Sequence, residues 1–425
     1  MQVIPEYQSS PFDKLLLFLA VLSIFFEPYL PFFGGSSTAF FVFSFIMAYV
    51  LFTRMKAFKK VVNSVYFLWV IIFVLVCVLM ESMHPYPDFV YIFRFLNMSL
   101  GMFCISVLCR DKEAIDVTIF SFILCSAGHS IYMMLGPMNF LKSLSAQGFD
   151  EASRARIQAF EQFTIHDHLN DISIFSGLGA LLGIISWYYS NNKLVKGILI
   201  VLIAFSMIGI FLPASRTGAL VFFTSLAIFV YKSKINVRKW ILPTVTLGTL
   251  LFLIVPDVVW VRIASLGNIS ELREVDSRAK MYTAILDILQ KYMLTGVGSG
   301  YYWKSWAVDN GLTNIMDIYE PLAPHNAYFQ IWIYWGLPAI VTFIYMMFVF
   351  SRILDKNIVG HRQKASLYVF VLIIPIVFLF YPRFYHKTFS VGLGMMLATR
   401  FWNIFGDQHV IEATDDEESK IENQE

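Results

Sequence analysis

Hydrophobic positions along this chain fall into long blocks, at residues 14–31, 37–53, 63–80, 89–109, 115–135, 171–189, 197–212, 217–231, 240–256, 326–350, 366–381 and 388–405. Crossing a bilayer takes roughly 20 apolar residues in a helix, fewer where aromatic side chains anchor its ends. The pattern predicts an all-α polytopic membrane protein with about twelve transmembrane helices. One polar stretch breaks the rhythm. From Pro256 to Asn326 the chain stays hydrophilic for far longer than a helical hairpin needs, and long loops on a rigid scaffold are where binding and catalysis concentrate. The expected organisation is an N-terminal bundle over 1–256 with about nine spans and a loop at 136–170, a long loop at 257–325, C-terminal helices over 326–405, and a tail over 406–425. That tail holds Asp415, Asp416, Glu417 and Glu418 and is expected to be a disordered cytoplasmic segment.

Inside the long loop the period changes. Asp276-Ser277 forms an N-cap, and Met281, Ile285, Ile288 and Leu289 make an apolar stripe at helical spacing, so a short helix is predicted from there to about Leu294, stopping at Gly296.

Charge fixes an expected orientation. The short loops on one side hold Arg54, Lys56, Lys59 and Lys60; Arg110 and Lys112; Lys193 and Lys196; Lys232, Lys234, Arg238 and Lys239; and Arg352, Lys356, Arg362 and Lys364. Lys and Arg collect on the cytoplasmic side of short loops, which puts both termini in the cytoplasm and the Glu81–Asp88 turn, the 136–170 loop, the Pro213–Thr217 turn, the 257–325 loop and the Arg383–Lys387 turn outside. Composition agrees with a membrane solvent. Of 425 residues, 57% are hydrophobic and 15% charged, where a soluble domain carries roughly 25% charged residues. Cys77, Cys104, Cys109 and Cys125 lie in or beside apolar blocks without Cys-x-x-Cys or Cys/His spacing, which suggests neither a disulfide framework nor a zinc site. The first apolar block has no small-residue cleavage site and reads as a retained helix, not a signal peptide.

Candidate chemistry gathers on the outer side. Pro213-Ala214-Ser215-Arg216-Thr217-Gly218 sets an arginine among hydroxyls and a permissive glycine, a setting that could leave backbone amides free for an anion; a snorkelling arginine is the plainer alternative. Arg278 falls in the first turn of the predicted loop helix, beside the positive helix end, which suits a bound phosphate or else a solvated surface charge. Gly296-Val297-Gly298-Ser299-Gly300-Tyr301 has neither the spacing nor the Lys-Ser/Thr of a Walker loop. His325, in Pro324-His325-Asn326-Ala327-Tyr328, precedes the tenth span near a helix N-terminus, where a neutral imidazole can act as a general base; a structural histidine is the alternative. Glu27 and Arg94 are charges inside spans near the same outer level, and charges there are usually paired or functional. The 136–170 loop adds Arg154, Arg156, His166, Asp167 and His168.

At these residues the sequence resembles the O-antigen ligase and O-antigen polymerase superfamily of bacterial envelope glycosyltransferases. The resemblance rests on Ser215-Arg216-Thr217-Gly218 before an apolar span, Arg278 opening a helix, Thr295-Gly296-Val297-Gly298-Ser299-Gly300, and His325-Asn326-Ala327-Tyr328 with Gly336-Leu337-Pro338 downstream, over about residues 150 to 345. It departs at Arg156-Ile157-Gln158-Ala159, where members often carry a glycine after the arginine, and at His166-Asp167-His168-Leu169-Asn170, which replaces an Asn-Pro-Asn-like segment.

The resemblance implies a GT-C-like fold in the bacterial inner membrane and a metal-independent, inverting transfer, with no cofactor, from an undecaprenyl-diphosphate-linked oligosaccharide at the periplasmic face. By that likeness Arg216 and Arg278 hold the diphosphate and His325 accepts the proton of the attacking hydroxyl, while Arg94, Arg156, Ser215, Asn326, Tyr328 and Tyr301 are candidate substrate-binding residues. Tyr302, Trp303 and Trp306 are further candidates to line a sugar cleft, or members of an interfacial aromatic belt. The implied partners are the lipid-linked donor, an acceptor glycan, the lipid bilayer and a chain-length regulator; nothing points to nucleic acid. Repeat-unit polymerisation is the leading expectation and ligation to lipid A-core or protein the runner-up. A transporter or flippase would need ionisable residues at the bilayer midplane and broken helices in repeated halves, which the polar residues gathered at one face do not match.

Overall fold

The computed structural model describes residues 8–26, 38–142, 151, 158, 169–213, 215–232, 253–264, 277–302, 307–309, 324, 326–353, 362–380, 386–402 and 404. Among these residues every regular element is helical. The first helices are α1 (Pro11–Phe26), α2 (Thr38–Thr53), α3 (Met55–Val62), α4 (Val65–Ser82), α5 (Val90–Leu108), α6 (Lys112–Leu135) and the short α7 (Pro137–Lys142). The middle of the chain supplies α8 (Leu169–Tyr189), α9 (Lys193–Phe211), α10 (Arg216–Lys232), α11 (Asp257–Ala264) and α12 (Ser277–Tyr292), then the single turns α13 (Ser299–Tyr301) and α14 (Ala307–Asp309). The last three are α15 (Ala327–Ser351), α16 (Arg362–Phe380) and α17 (Lys387–Phe401).

The fold is an all-α polytopic membrane protein. Among the described residues seven helices, α4, α5, α6, α8, α9, α15 and α16, are long and apolar enough to cross a bilayer, and α2 with α3 makes an eighth if the bent pair is one span. The count of twelve expected from the sequence leans on shorter helices: α1, α10 and α17 run 16, 17 and 15 residues. The expected ninth span, 240–256, lies outside the described residues except for its end. Of residues 54–62, expected as a polar loop, Met55–Val62 instead fold as α3, turned by 105° from α2. Apolar Met55, Phe58, Val61 and Val62 alternate there with Lys56, Lys59 and Lys60, a helical spacing too short to have registered as a span.

Helix α8 is the hub. In its most apolar stretch 78% of the residues are buried, against 28% for α4, so α8 is enclosed by protein while α4 buries only one face. Small residues let the backbones approach: a Cβ at Gly179 would stand 2.2 Å from the Ser126 Cβ of α6, and one at Gly183 would stand 2.7 Å from Ile203 of α9. Polar first residues start the helices. Ser64 accepts a hydrogen bond from the Phe67 amide, Asp111 from Ala114, and Asn192 from Leu194 and Val195.

The two ends of the bundle differ chemically. At the expected inner end the Lys60 ammonium donates to the Phe401 carbonyl at 3.0 Å and lies 4.9 Å from the Trp402 ring. There too Arg362 pairs with Asp116 at 2.5 Å, Lys14 pairs with Glu113, and Ser9 donates to the Leu108 carbonyl at 2.7 Å. The opposite end holds the ends of α4 and α16 and the starts of α5, α8, α10, α15 and α17.

Candidate functional site

Helix α9 finishes at Phe211, the chain turns at Pro213, and α10 starts at Arg216. Ser215, only 2% exposed, makes the turn work: its hydroxyl accepts from the Gly218 amide at 3.2 Å and donates to Asn170 Oδ1 at 2.9 Å. Of the backbone amides in this turn, that of Gly218 is therefore taken by the cap. A Cβ at Gly218 would stand 1.9 Å from the Ser173 hydroxyl, so this glycine serves close packing of α10 on α8. Arg216 itself sits in the first helical turn, at the positive end of the helix.

Asn170 adjoins Asp171, and both open α8. The Asp171 carboxylate lies 3.9 Å from His386 Nε2 with both side chains largely buried. His386 caps α17 by accepting the Thr388 amide on Nδ1 at 3.3 Å, which leaves the proton on Nε2 and directs it to Asp171. Its ring packs 4.6 Å from that of Phe175. Neither Asp171 nor His386 carried a functional expectation; a carboxylate beside the Asn170 helix start and a histidine before Lys387-Thr388 were the available signals.

Asn326 caps α15. Its Oδ1 accepts the Phe329 amide at 3.0 Å and its Nδ2 donates to the Leu379 carbonyl at 3.0 Å, fastening the start of α15 to the end of α16. Two residues on, the Tyr328 hydroxyl donates to the Pro375 carbonyl at 3.4 Å. Helix α16 also packs against α8 and α10. The segments adjoining Arg216 and His325 thus share one end of the bundle, with α16 between them. His325 and Arg156 lie outside the described residues, as does Glu27, and of Arg278 the structure describes the backbone, in the first turn of α12. Arg94 is exposed on α5, 5.8 Å from the Tyr91 ring, which in turn packs 5.4 Å from Tyr334 of α15.

The glycine loop after α12 has a specific structural task. Helix α15 breaks at Gly336, whose φ of 74° and ψ of −172° are non-helical, and Pro338 follows. The proline has no N–H for the Tyr334 carbonyl, and the Leu337 amide turns away from the Ile333 carbonyl to donate to Met293 O at 2.9 Å. Both freed carbonyls are satisfied from outside: the Val297 amide donates to Ile333 O at 2.7 Å and the Gly298 amide to Tyr334 O at 2.9 Å. Gly296 must be small, because a Cβ there would sit 2.6 Å from both carbonyl oxygens. Tyr301 stacks on Tyr86, centroids 6.1 Å apart and planes at 8°. Tyr302 is fully buried, 5.5 Å from the Tyr334 ring, so it packs the loop and does not line an open cleft; burial pushes its phenol well above the usual tyrosine range. No group of three His, Cys, Asp or Glu side chains converges among the described residues.

Residues 199–344 match the family model for the O-antigen ligase domain, Wzy_C. Over that stretch, about a third of its length, the chain is similar to the O-antigen ligase domain family. The matched stretch contains Arg216, α12 with Arg278, the glycine loop, His325, Asn326 and the Gly336 break. No curated protein matches the chain.

Proposed function

We propose that this chain is an inner-membrane glycosyltransferase that polymerises an O-antigen-type polysaccharide, moving a glycan from undecaprenyl diphosphate to a sugar hydroxyl at the periplasmic face. What carries the reading is the O-antigen ligase domain match combined with the helix ends: the turn that launches Arg216 and the cap that follows His325 belong to the same end of the bundle. In the reaction the acceptor hydroxyl oxygen attacks the anomeric carbon, and the bond from that carbon to the phosphate oxygen breaks with its electron pair leaving on the diphosphate. His325 takes the hydroxyl proton. Arg216 and Arg278 meet the charge that grows on the leaving group, each guanidinium spanning two phosphate oxygens. The attack proceeds from the face opposite the leaving group and inverts the anomeric centre, and no metal is needed when two arginines carry the charge.

The name of the matched domain favours a second reading, ligation of the finished glycan to lipid A-core or protein. Complementation separates them. A polymerase-null strain shows single-repeat glycans on a gel; restoration of the ladder by the wild-type chain and not by His325→Ala supports polymerisation. Rescue of a ligase-null strain, which holds full-length polymer on the carrier, supports ligation, and rescue of neither strain refutes both. Arg216→Lys is expected to lose about 100-fold in transfer, because an ammonium cannot hold two oxygens in a plane; a fully active lysine variant refutes the bidentate role.

A further inference from the structure

Glu81, the last residue but one of α4, is fully buried, and four donors converge on its carboxylate. Oε1 accepts from the backbone amides of Asp88 at 2.8 Å and Gly300 at 3.3 Å. Oε2 accepts from the Ser299 amide at 3.0 Å and from the indole of Trp335 at 2.6 Å. The four partners belong to three separate parts of the chain: the outer turn after α4, the glycine loop that continues α12, and the α15 residue immediately before the Gly336 break. Around this point the same pieces are fitted to each other. Ser299 donates its hydroxyl to the Asp88 carbonyl at 2.8 Å, and His84 Nε2 lies 3.2 Å from the Thr295 carbonyl. A Cβ at Gly300 would stand 2.0 Å from the Tyr86 carbonyl.

Burying a carboxylate is costly, and a well-packed apolar side chain often serves stability as well or better. What a carboxylate adds is direction: two oxygens that each receive two N–H groups fix the angles between the segments that own them. Those segments are the continuation of the helix that opens with Arg278 and the outer third of the helix that follows His325.

We propose that Glu81 is a positioning residue for glycan transfer, a four-donor clamp that sets the Arg278 helix and the His325 end of α15 in register. The inference rests on the transferase reading. Glu81→Gln keeps the shape but turns an NH2 group towards N–H donors; Glu81→Asp keeps the carboxylate and shortens its reach. The test compares wild type, Glu81→Gln and Glu81→Asp in lipid nanodiscs, with hydrogen exchange of residues 295–302 and transfer kinetics measured on the same preparations. Glu81→Gln is expected to exchange about 10-fold to 100-fold faster at 295–302, with α6 and α8 unchanged. Its kcat per folded molecule is expected to fall by a similar factor, with KM for the acceptor within about twofold, and Glu81→Asp to recover part of both losses. Unchanged exchange at 295–302, or exchange that rises throughout the chain with kcat per folded molecule intact, overturns the clamp. A wild-type chain that transfers no glycan overturns the transferase reading instead, and the exchange data distinguish the two failures.

Discussion

Gly336 shows how a single position carries both backbone and packing constraints. Its φ of 74° with an extended ψ is accessible to glycine and strained for other residues, and a Cβ would stand 2.1 Å from the Leu294 carbonyl. Gly336→Ala is expected to lower stability by about 1–3 kcal/mol from backbone strain alone, with the clash adding to it. The check is the unfolding midpoint in detergent, and a midpoint equal to wild type would show that the break tolerates a side chain. In the sequence the glycines at 296, 298, 300 and 336 and Pro338 were visible as turn signals. What was not visible is that amides from one cluster replace the donors missing in the other, because that exchange exists only once Val297 and Gly298 are packed against Ile333 and Tyr334, far along the chain. Ser215 and Asn326 make a similar case. Both were expected to bind substrate, and the side-chain partners they show are helix starts and neighbouring helices. Glu81 drew no notice because a carboxylate at a membrane edge is unremarkable until its four donors are seen.

Among the elements, α2 and α3 depend on a bend at Arg54, and the bend is held by a residue of α1. Asp13, fully buried, accepts from Arg54 Nη2 at 3.0 Å, from the Tyr49 hydroxyl at 3.1 Å and from the Ser10 amide at 2.8 Å. Asp13→Asn removes the charge and sets an NH2 group against donors. Arg54 keeps partial access to water, so the expected loss is about 1–3 kcal/mol, less than for a fully buried pair. Thermal unfolding measures it, and Asp13→Asn with wild-type stability would show that the bend is fixed by lipid and not by this contact. The apolar blocks themselves were legible, since α4, α5, α6, α8, α9, α15 and α16 fall within a few residues of the expected ranges. The α3 helix was missed because its eight residues form an interfacial pattern and not a span. The helix from Ser277 was found because capping and apolar spacing are both local signals.

At the scale of the whole molecule, the described basic residues at the ends of α2, α5 and α16 join one end of the bundle, while the glycine loop, Glu81 and the turn at Ser215 form the other. By the positive-inside rule the second end is expected to face away from the cytoplasm, an orientation that cysteine labelling tests. All four native cysteines are buried, so an introduced thiol at an exposed position stands out against them. Tyr86→Cys is expected to react with a membrane-impermeant maleimide in intact cells whose outer membrane has been made permeable, and Lys56→Cys only after lysis. The reverse pattern would invert the topology and remove the substrate from the proposed site. Bundle ends could be sorted from charge alone, but the pairing of α8 with α10 and α17 at the outer end could not, since Asn170, Ser215, Asp171 and His386 meet only through tertiary packing.

The break in α15 also bears on the depth at which the protein meets its lipid. From Leu337 to Ser351 the helix rises roughly 22 Å, while the hydrocarbon layer is roughly 30 Å thick. A segment that short cannot reach from one headgroup layer to the other in a flat bilayer, so the glycine loop lies beneath the outer headgroups or the membrane thins to meet it. Exposed backbone at that depth is tolerated only when protein covers it, and the covering segment presents Tyr292, Met293 and Leu294 outward, at 45%, 46% and 60% exposure. The loop therefore presents an apolar rim to the side of the bundle, with the exposed Lys291 one residue before it.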